Sequence, residues 1–200
     1  MDALRRHADL ALSIESTSLF LWSHRAQILY FARRFQECLQ ESERFLDQFP
    51  HFAMGHVNYG DALIESGRAG EALPIFEDVF ESTGMPVALF GTLRSCQALG
   101  KSQEAQQRLD RLRRMHRDGA CSPAMLASAY VITGAIEEAY QLFETALSGC
   151  DTRLPLLMHL PEYDRIRADE RFVRILRRMN LQPPASPFSS QTPVISTAPE

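Results

Sequence analysis

Small side chains recur along this chain at a nearly constant interval of 33 or 34 residues. Each of them directly follows a glutamate. A repeat of this length is typical of stacked helix pairs, because one pair cannot bury its own apolar face and needs a copy beside it. The periodicity therefore predicts an all-α fold built as a solenoid. The small residues are Cys38, Ala72, Ala105 and Ala139.

The stretch from residue 58 to residue 80 shows the repeat most fully, and its pattern predicts two short helices joined by a turn. Gly60 falls where the first helix must let its neighbour approach closely, and Gly67 falls at the end of that helix. Ala72 and Phe76 place a small and a large side chain one turn apart on the second helix. The turn glycine recurs at Gly100 and Gly134.

These positions resemble the tetratricopeptide repeat family. The resemblance covers four copies and implies a right-handed superhelical solenoid whose concave groove holds peptides. Arg33 and Ser42 depart from the family pattern in the first copy. The residues that carry the resemblance are Trp22, Ala26, Leu29, Cys38, Phe45 and Pro50, then Tyr59, Gly60, Leu63, Gly67, Ala72 and Phe76, then Leu89, Gly100, Ala105 and Leu109, and finally Leu126, Ala127, Tyr130, Gly134, Ala139, Phe143 and Ala146.

The copies set the expected domain organisation. Residues 17–150 are predicted to form four repeats, and residues 151–181 to form C-terminal capping helices. Residues 1–16 carry one apolar stripe, which predicts a leading helix. That helix is either the second helix of a partial repeat or an N-terminal cap. Residues 182–200 are rich in proline and serine, which predicts a disordered tail.

The segment from residue 152 to residue 181 breaks the period. It resembles the closing segment of the tetratricopeptide regions of bacterial multidomain signalling proteins, among them adenylate cyclases, serine/threonine kinases and winged-helix regulators. The resemblance implies a partner-binding or sensing region rather than an activity. Glu170 stands where those proteins usually carry proline. The matching residues are Pro161, Tyr163, Ile166, Arg167, Asp169, Arg171, Phe172, Ile175, Leu176, Arg177, Arg178, Met179 and Leu181.

Composition and motifs argue against several classes of function. No run of about 18 apolar residues occurs, so no membrane span is expected. The net charge of −4 at pH 7 argues against nucleic acid as the main partner. The scattered cysteines and histidines lack the spacing of metal ligands, so neither a metal nor a cofactor is expected. No phosphate-binding loop or nucleophile motif is present, which predicts that the chain is not an enzyme. Two arginine-rich stretches, 108–117 and 165–178, are interpreted as solvated helix faces, and the alternative is an acidic or membrane-surface partner.

The resemblance also carries the family's groove positions onto this chain. Apolar, amide and charged side chains mix there, which suits an extended or helical peptide with apolar anchors. The family's clamp for a C-terminal carboxylate is not expected, because only Asn58 fits it, with Arg94 as a possible cation. The alternative is a groove with no dedicated ligand. The predicted groove residues are Ser23, Gln27, Tyr30, Val57, Asn58, Asp61, Ile64, Phe90, Arg94, Gln97, Ala124, Ser128 and Val131.

We therefore expect a non-catalytic scaffold or adaptor of the bacterial cytoplasm that binds a peptide or protein segment in this groove. One alternative is a regulatory or sensor fragment of a signalling protein. It would form a homodimer through the leading helix or dock on an upstream effector domain. An enzyme whose site assembles from distant repeats is the remaining alternative.

Overall fold

The computed structural model describes residues 19–181, and every regular element in that range is helical. The prediction of an all-α chain is confirmed for those residues. The predicted leading helix at residues 1–16 and the predicted tail at residues 182–200 lie outside them. The elements are α1 (Leu19–Phe31), α2 (Phe35–Gln48), α3 (Ala53–Glu65), α4 (Ala69–Thr83), α5 (Pro86–Ala98), α6 (Ser102–Arg117), α7 (Pro123–Thr133), α8 (Ile136–Ser148), α9 (Leu154–Leu157), a 3₁₀ helix (Pro161–Arg165) and α10 (Glu170–Arg178).

The described chain divides into two compact units, the first ending at Asp164 and the second starting at Arg165. In the first unit, each helix from α1 to α7 packs on the next one along the chain. The odd-numbered helices also pack on one another in sequence, α1 on α3, α3 on α5 and α5 on α7. The short helix α9 packs on α7 and α8. Helices α1, α3, α5 and α7 therefore lie side by side and together form one face of the first unit.

The core of the first unit repeats with the same interval as the sequence. Each even-numbered helix from α2 to α8 buries a small residue in its first turn and a further side chain one turn later. Because residues i and i+4 share a helix face, these pairs turn the same side of each helix inward. The buried pairs are Cys38 and Ser42, Ala72 and Phe76, Ala105 and Leu109, and Ala139 and Phe143.

Glycines on two helices make room for the ring of Phe76, which is fully buried. A Cβ atom on Gly60 of α3 would lie 2.6 Å from Cζ of that ring, and one on Gly91 of α5 would lie closer still. Neither distance is compatible with a side chain, so both positions require glycine. The close approach predicted at Gly60 is confirmed.

The turns within the four helix pairs share one backbone conformation. In the second, third and fourth pairs, Gly67, Gly100 and Gly134 have φ angles of 77°, 71° and 85°. The first pair uses Arg33 instead, with φ of 62°. In that turn the amide of Arg34 donates to the carbonyl of Leu29 over 2.9 Å, which satisfies an orphan carbonyl at the end of α1. Arg33 thus forms the same turn as the glycines despite its side chain.

The second unit contains α10. Its N-cap is Asp169, whose carboxylate accepts from the amide of Arg171 over 2.9 Å. Phe172, Ile175 and Leu176 are buried, and their spacing places them on one face of the helix.

Candidate binding cavity

A cavity of about 210 Å³ opens on the face shared by the odd-numbered helices. Helices α1, α3, α5 and α7 all contribute to its walls, and the segment after α8 closes one side. The lining residues are Gln27, Tyr30, Phe31, Met54, Val57, Asn58, Asp61, Met85, Val87, Phe90, Arg94, Met125, Arg153, Leu156 and Leu160.

Most of the cavity wall is apolar. Val57, Phe90 and Met125 are buried and line its interior, whereas Leu156 is 42% exposed. The lining also includes Met54 and Met85, so three methionines face the space. Methionine is unbranched and polarisable, and its side chain adapts to differently shaped apolar groups. The wall therefore suits an apolar occupant without demanding one shape.

One end of the cavity carries a buried charge cluster centred on Arg94 of α5, which is only 4% exposed. Its Nη1 lies 2.5 Å from Oδ1 of Asp61, and its Nη2 lies 2.7 Å from Oε1 of Glu65. Its Nε pairs with Glu162, and Nη2 also donates to the hydroxyl of Tyr30 over 2.7 Å. A buried guanidinium needs such partners, because an unpaired buried charge is strongly destabilising.

This cluster holds three carboxylates around one guanidinium, which favours protonation of a carboxyl group. Burial raises the pKa of Asp61 to about 7, and the carboxylates of Glu162 and Glu65 act in the same direction while Arg94 opposes them. Burial also raises the pKa of Glu65. Removing a carboxylate from water and placing it near like charges both disfavour its ionised form. Asp61 therefore titrates near neutral pH at the edge of the cavity.

The segment from Arg153 to Asp164 crosses between the last helix pair and the first. Tyr163 is fully buried, its ring centroid lies 5.7 Å from that of Phe143, and its hydroxyl lies 2.5 Å from the hydroxyl of Ser128. Ser128 donates to the carbonyl of Ala124 over 3.0 Å, which leaves its oxygen to accept from Tyr163. At the other end, Arg33 donates to Asp164 over 2.9 Å, across 131 residues of chain. The segment is thus held by both α7 and the turn after α1.

The structure brings seven of the predicted groove residues to the cavity and places the others elsewhere. Ser23 is buried, and its carbonyl accepts from the side-chain amide of Asn58 over 2.9 Å. Ile64 and Gln97 are half-buried but do not line the cavity. Ala124, Ser128 and Val131 are fully buried. The predicted residues at the cavity are Gln27, Tyr30, Val57, Asn58, Asp61, Phe90 and Arg94.

Sequence reasoning missed eight of the cavity residues, which are Phe31, Met54, Met85, Val87, Met125, Arg153, Leu156 and Leu160. Met54 and Val87 lie one turn before Asn58 and Phe90 on the same helices, so helical spacing from the predicted positions would have found them. Arg153, Leu156 and Leu160 belong to the segment that breaks the repeat. Periodicity carries no information about where such a segment packs.

A second, open depression of about 530 Å³ includes His51, His56 and Asp78. A ring nitrogen of His56 lies 2.7 Å from the carbonyl of Pro50. A carbonyl can only accept, so that nitrogen donates and is occupied by the backbone. Over residues 19–181, no group of three His, Cys, Asp or Glu side chains is placed to hold a metal ion.

No helix within the described range is long and apolar enough to cross a lipid bilayer. Comparison with protein-family models gives no match, and no curated protein matches the chain significantly.

Proposed function

We propose that this chain is a non-catalytic binding module, a tetratricopeptide-like right-handed solenoid that holds a peptide or protein segment at the cavity. The observation that carries the proposal is the cavity itself. It is lined mostly by apolar side chains and lies on the face of α1, α3, α5 and α7. In the repeat family that the sequence resembles, the corresponding face holds peptides. As a scaffold or adaptor of the bacterial cytoplasm, the protein would bind a partner through this face.

The size of the cavity favours a side chain over a whole small molecule. Pockets for drug-sized ligands range from about 300 to 1,000 Å³, whereas this one measures about 210 Å³. One large apolar side chain of a partner is therefore the natural occupant. The rest of the partner segment would lie across the mouth, near Gln27 and the exposed Arg153.

The composition of the lining favours binding over hydrolysis by a serine or cysteine nucleophile. The described lining contains no serine, cysteine or histidine, the residues that most often act as nucleophile or base in hydrolysis. The acid at the cavity, Asp61, is paired with Arg94.

The residues to change in a test are those at the mouth. Arg94 and Asn58 hold helices together through buried contacts, so their loss would unfold the site. Met85 is half-buried and Leu156 is exposed, so we expect the fold to accept a polar side chain at both positions. Leu99 is a matched control because it is a large exposed apolar residue, 41% accessible, that does not line the cavity.

The experiment is a selection of peptides from a random library on the immobilised protein, followed by measurement of Kd by fluorescence polarisation. The selected peptides should share one large apolar residue. The double variant Met85→Gln/Leu156→Gln should bind them about tenfold or more weakly, in the range of a lost interface anchor. Leu99→Gln should bind as the native protein does. Failure to select any peptide, or an equal effect of Leu99→Gln, would count against the proposal.

A further inference from the structure

The cations that line the cavity are Arg94, in its wall, and Arg153, at its mouth. Arg94 is shared among Asp61, Glu65 and Glu162. No ion pair of the Arg153 side chain occurs among the described contacts, but that residue is exposed. A charged group entering the cavity would exchange water for a wall that is mostly apolar, and such desolvation is strongly unfavourable. The interior is therefore suited to an uncharged group.

Asp61 connects the apolar space to the charge cluster. Its side chain is 22% exposed and lines the cavity, while its Oδ1 contacts Arg94. An apolar group that fills the cavity removes water from the exposed part of this carboxyl group. Because Asp61 shares its counter-ion with two other carboxylates, that loss of water is not compensated by a second cation.

We infer that the cavity takes one neutral apolar side chain, aliphatic or aromatic, together with a proton on Asp61. This inference rests on the proposed function and adds the chemistry of the occupant and its dependence on pH. Desolvation favours the neutral form of a carboxyl group. By linkage, a ligand that raises the proton affinity of Asp61 must itself bind more tightly where Asp61 is protonated.

Burial raises the pKa of both Asp61 and Glu65, and of these two carboxyl groups Asp61 is the one that lines the cavity. The pKa of Asp61 is about 7 before binding. Tyr30 of α1 and Cys38 of α2 also lie near the cluster. Burial raises the pKa of Tyr30 well above its usual value and the pKa of Cys38 to about 12. Both stay neutral near pH 7. The remaining charged groups are Arg94 on α5, Glu65 on the same helix as Asp61, Glu162 on the 3₁₀ helix, Arg33 beyond α1, which acts on Glu65, and Arg153 at the mouth.

The test is isothermal titration calorimetry of the full chain with three ligands that share one ring. Indole is neutral, tryptamine carries a cation and indole-3-acetate carries an anion. Indole should bind most tightly, with Kd rising about sevenfold between pH 6 and pH 8.5 if binding raises the pKa of Asp61 by about one unit. Titrations in buffers of different ionisation enthalpy should show an uptake of about half a proton per indole near pH 7.5.

In Asp61→Asn the Kd of indole should no longer change with pH and the proton uptake should be lost, since the amide does not titrate. Asp78→Asn, at an exposed aspartate away from the cavity, should behave as the native protein does. Val87→Trp should fill the cavity and abolish indole binding, whereas Leu99→Trp should leave it intact.

Three results would overturn the inference. They are the absence of indole binding, tighter binding of either charged ligand, and a native Kd that does not change with pH. The proton count on the native protein is decisive even if Asp61→Asn does not fold. Peptide selection tests the proposed function independently. If peptides bind through Met85 and Leu156 while indole shows no proton uptake, the function stands and this inference fails. If neither peptides nor indole bind, both fail.

Discussion

The ring of Phe76 sets the spacing of three helices. It is fully buried between α3 and α5, where Gly60 and Gly91 leave room for it. A core of this kind is close-packed, so an added methyl group forces the ring or the backbone to move. Because these two glycines have no side chains, their contribution to the stability of the fold comes from their contact with the ring of Phe76.

Gly91→Ala should therefore destabilise the protein, by about 2 kcal/mol or more, as expected for overpacking of a core. Gly70→Ala is the matched control, because Gly70 lies in the first turn of α4 and its Cβ would meet only Leu99 Cδ2 at 4.0 Å. That change should be neutral or raise the free energy of unfolding by up to about 1 kcal/mol, since alanine favours helix. Urea denaturation measures both. Equal effects of the two changes would contradict the role assigned to Phe76.

Asp61 should make stability depend on pH in the direction opposite to that of a carboxylate whose pKa is lowered by its ion pair, because burial outweighs the effect of Arg94 on Asp61. Its folded pKa of about 7 lies above the ordinary value of 3.8, so the folded state binds more protons than the unfolded state between those values. The free energy of unfolding then falls as pH rises through that window, on the order of 2 kcal/mol between pH 5 and pH 8. Asp61→Asn should flatten this dependence in urea denaturation series, and Asp78→Asn should not. An unchanged slope in Asp61→Asn would assign the pH dependence to other groups.

At the scale of the element, each even-numbered helix up to α6 begins with an ion pair three residues apart. Arginine or lysine at the start pairs with the glutamate that precedes the small core residue, as in Arg68 and Glu71 at 2.6 Å. The glutamates that recur in the sequence thus have a role at the helix N-terminus, where a negative charge is favourable. The other pairs are Arg34 with Glu37 and Lys101 with Glu104.

The turn before each of these helices contains a residue with a positive φ angle. Gly100 has φ of 71°, and a Cβ added there would meet nothing within 4 Å. Gly100→Ala should therefore reduce stability only through the backbone, by about 1 kcal/mol. The expected sign is opposite to that of Gly70→Ala, and thermal or urea unfolding can compare the two. A stabilised Gly100→Ala variant would show that this φ angle is not required.

At the scale of the first unit, the segment from Arg153 to Asp164 joins helices that are far apart in the chain. Tyr163 packs with Ser128 and Phe143, while Asp164 pairs with Arg33. The helix pairs otherwise contact their sequence neighbours, and stacked arrays with only such contacts can open from one end. The segment adds contacts that skip the intermediate pairs, and so should make opening more cooperative.

Tyr163→Ala should lower the free energy of unfolding by about 3–5 kcal/mol, the range for loss of a buried aromatic ring. Hydrogen exchange should accelerate in α1 and α7 together, because the segment contacts both. Arg153→Ala, at an exposed position of the same segment, should change neither. Faster exchange confined to residues 153–164 would show that the segment does not couple the two helices.

The sequence by itself determined the helical class, the helix pairs and their repeated core. Those features depend on contacts one turn apart, such as Ala72 with Phe76, and on turn residues such as Gly67, and both kinds of signal are local and recur with the period. The resemblance to the repeat family also pointed to the helix face that carries the cavity, since seven of the groove positions that it implied line that cavity.

Only the tertiary structure decided what that face contains. Arg94 can be buried because Glu65 and Glu162 pair with it, and Ser128 is buried beneath Tyr163, whose hydroxyl it contacts. These contacts join residues from different helices, and two of the partners come from the one segment that breaks the repeat. Periodicity records which residues turn inward on each helix. It cannot record which distant segment meets them, because that choice is made by packing and charge pairing across the folded chain.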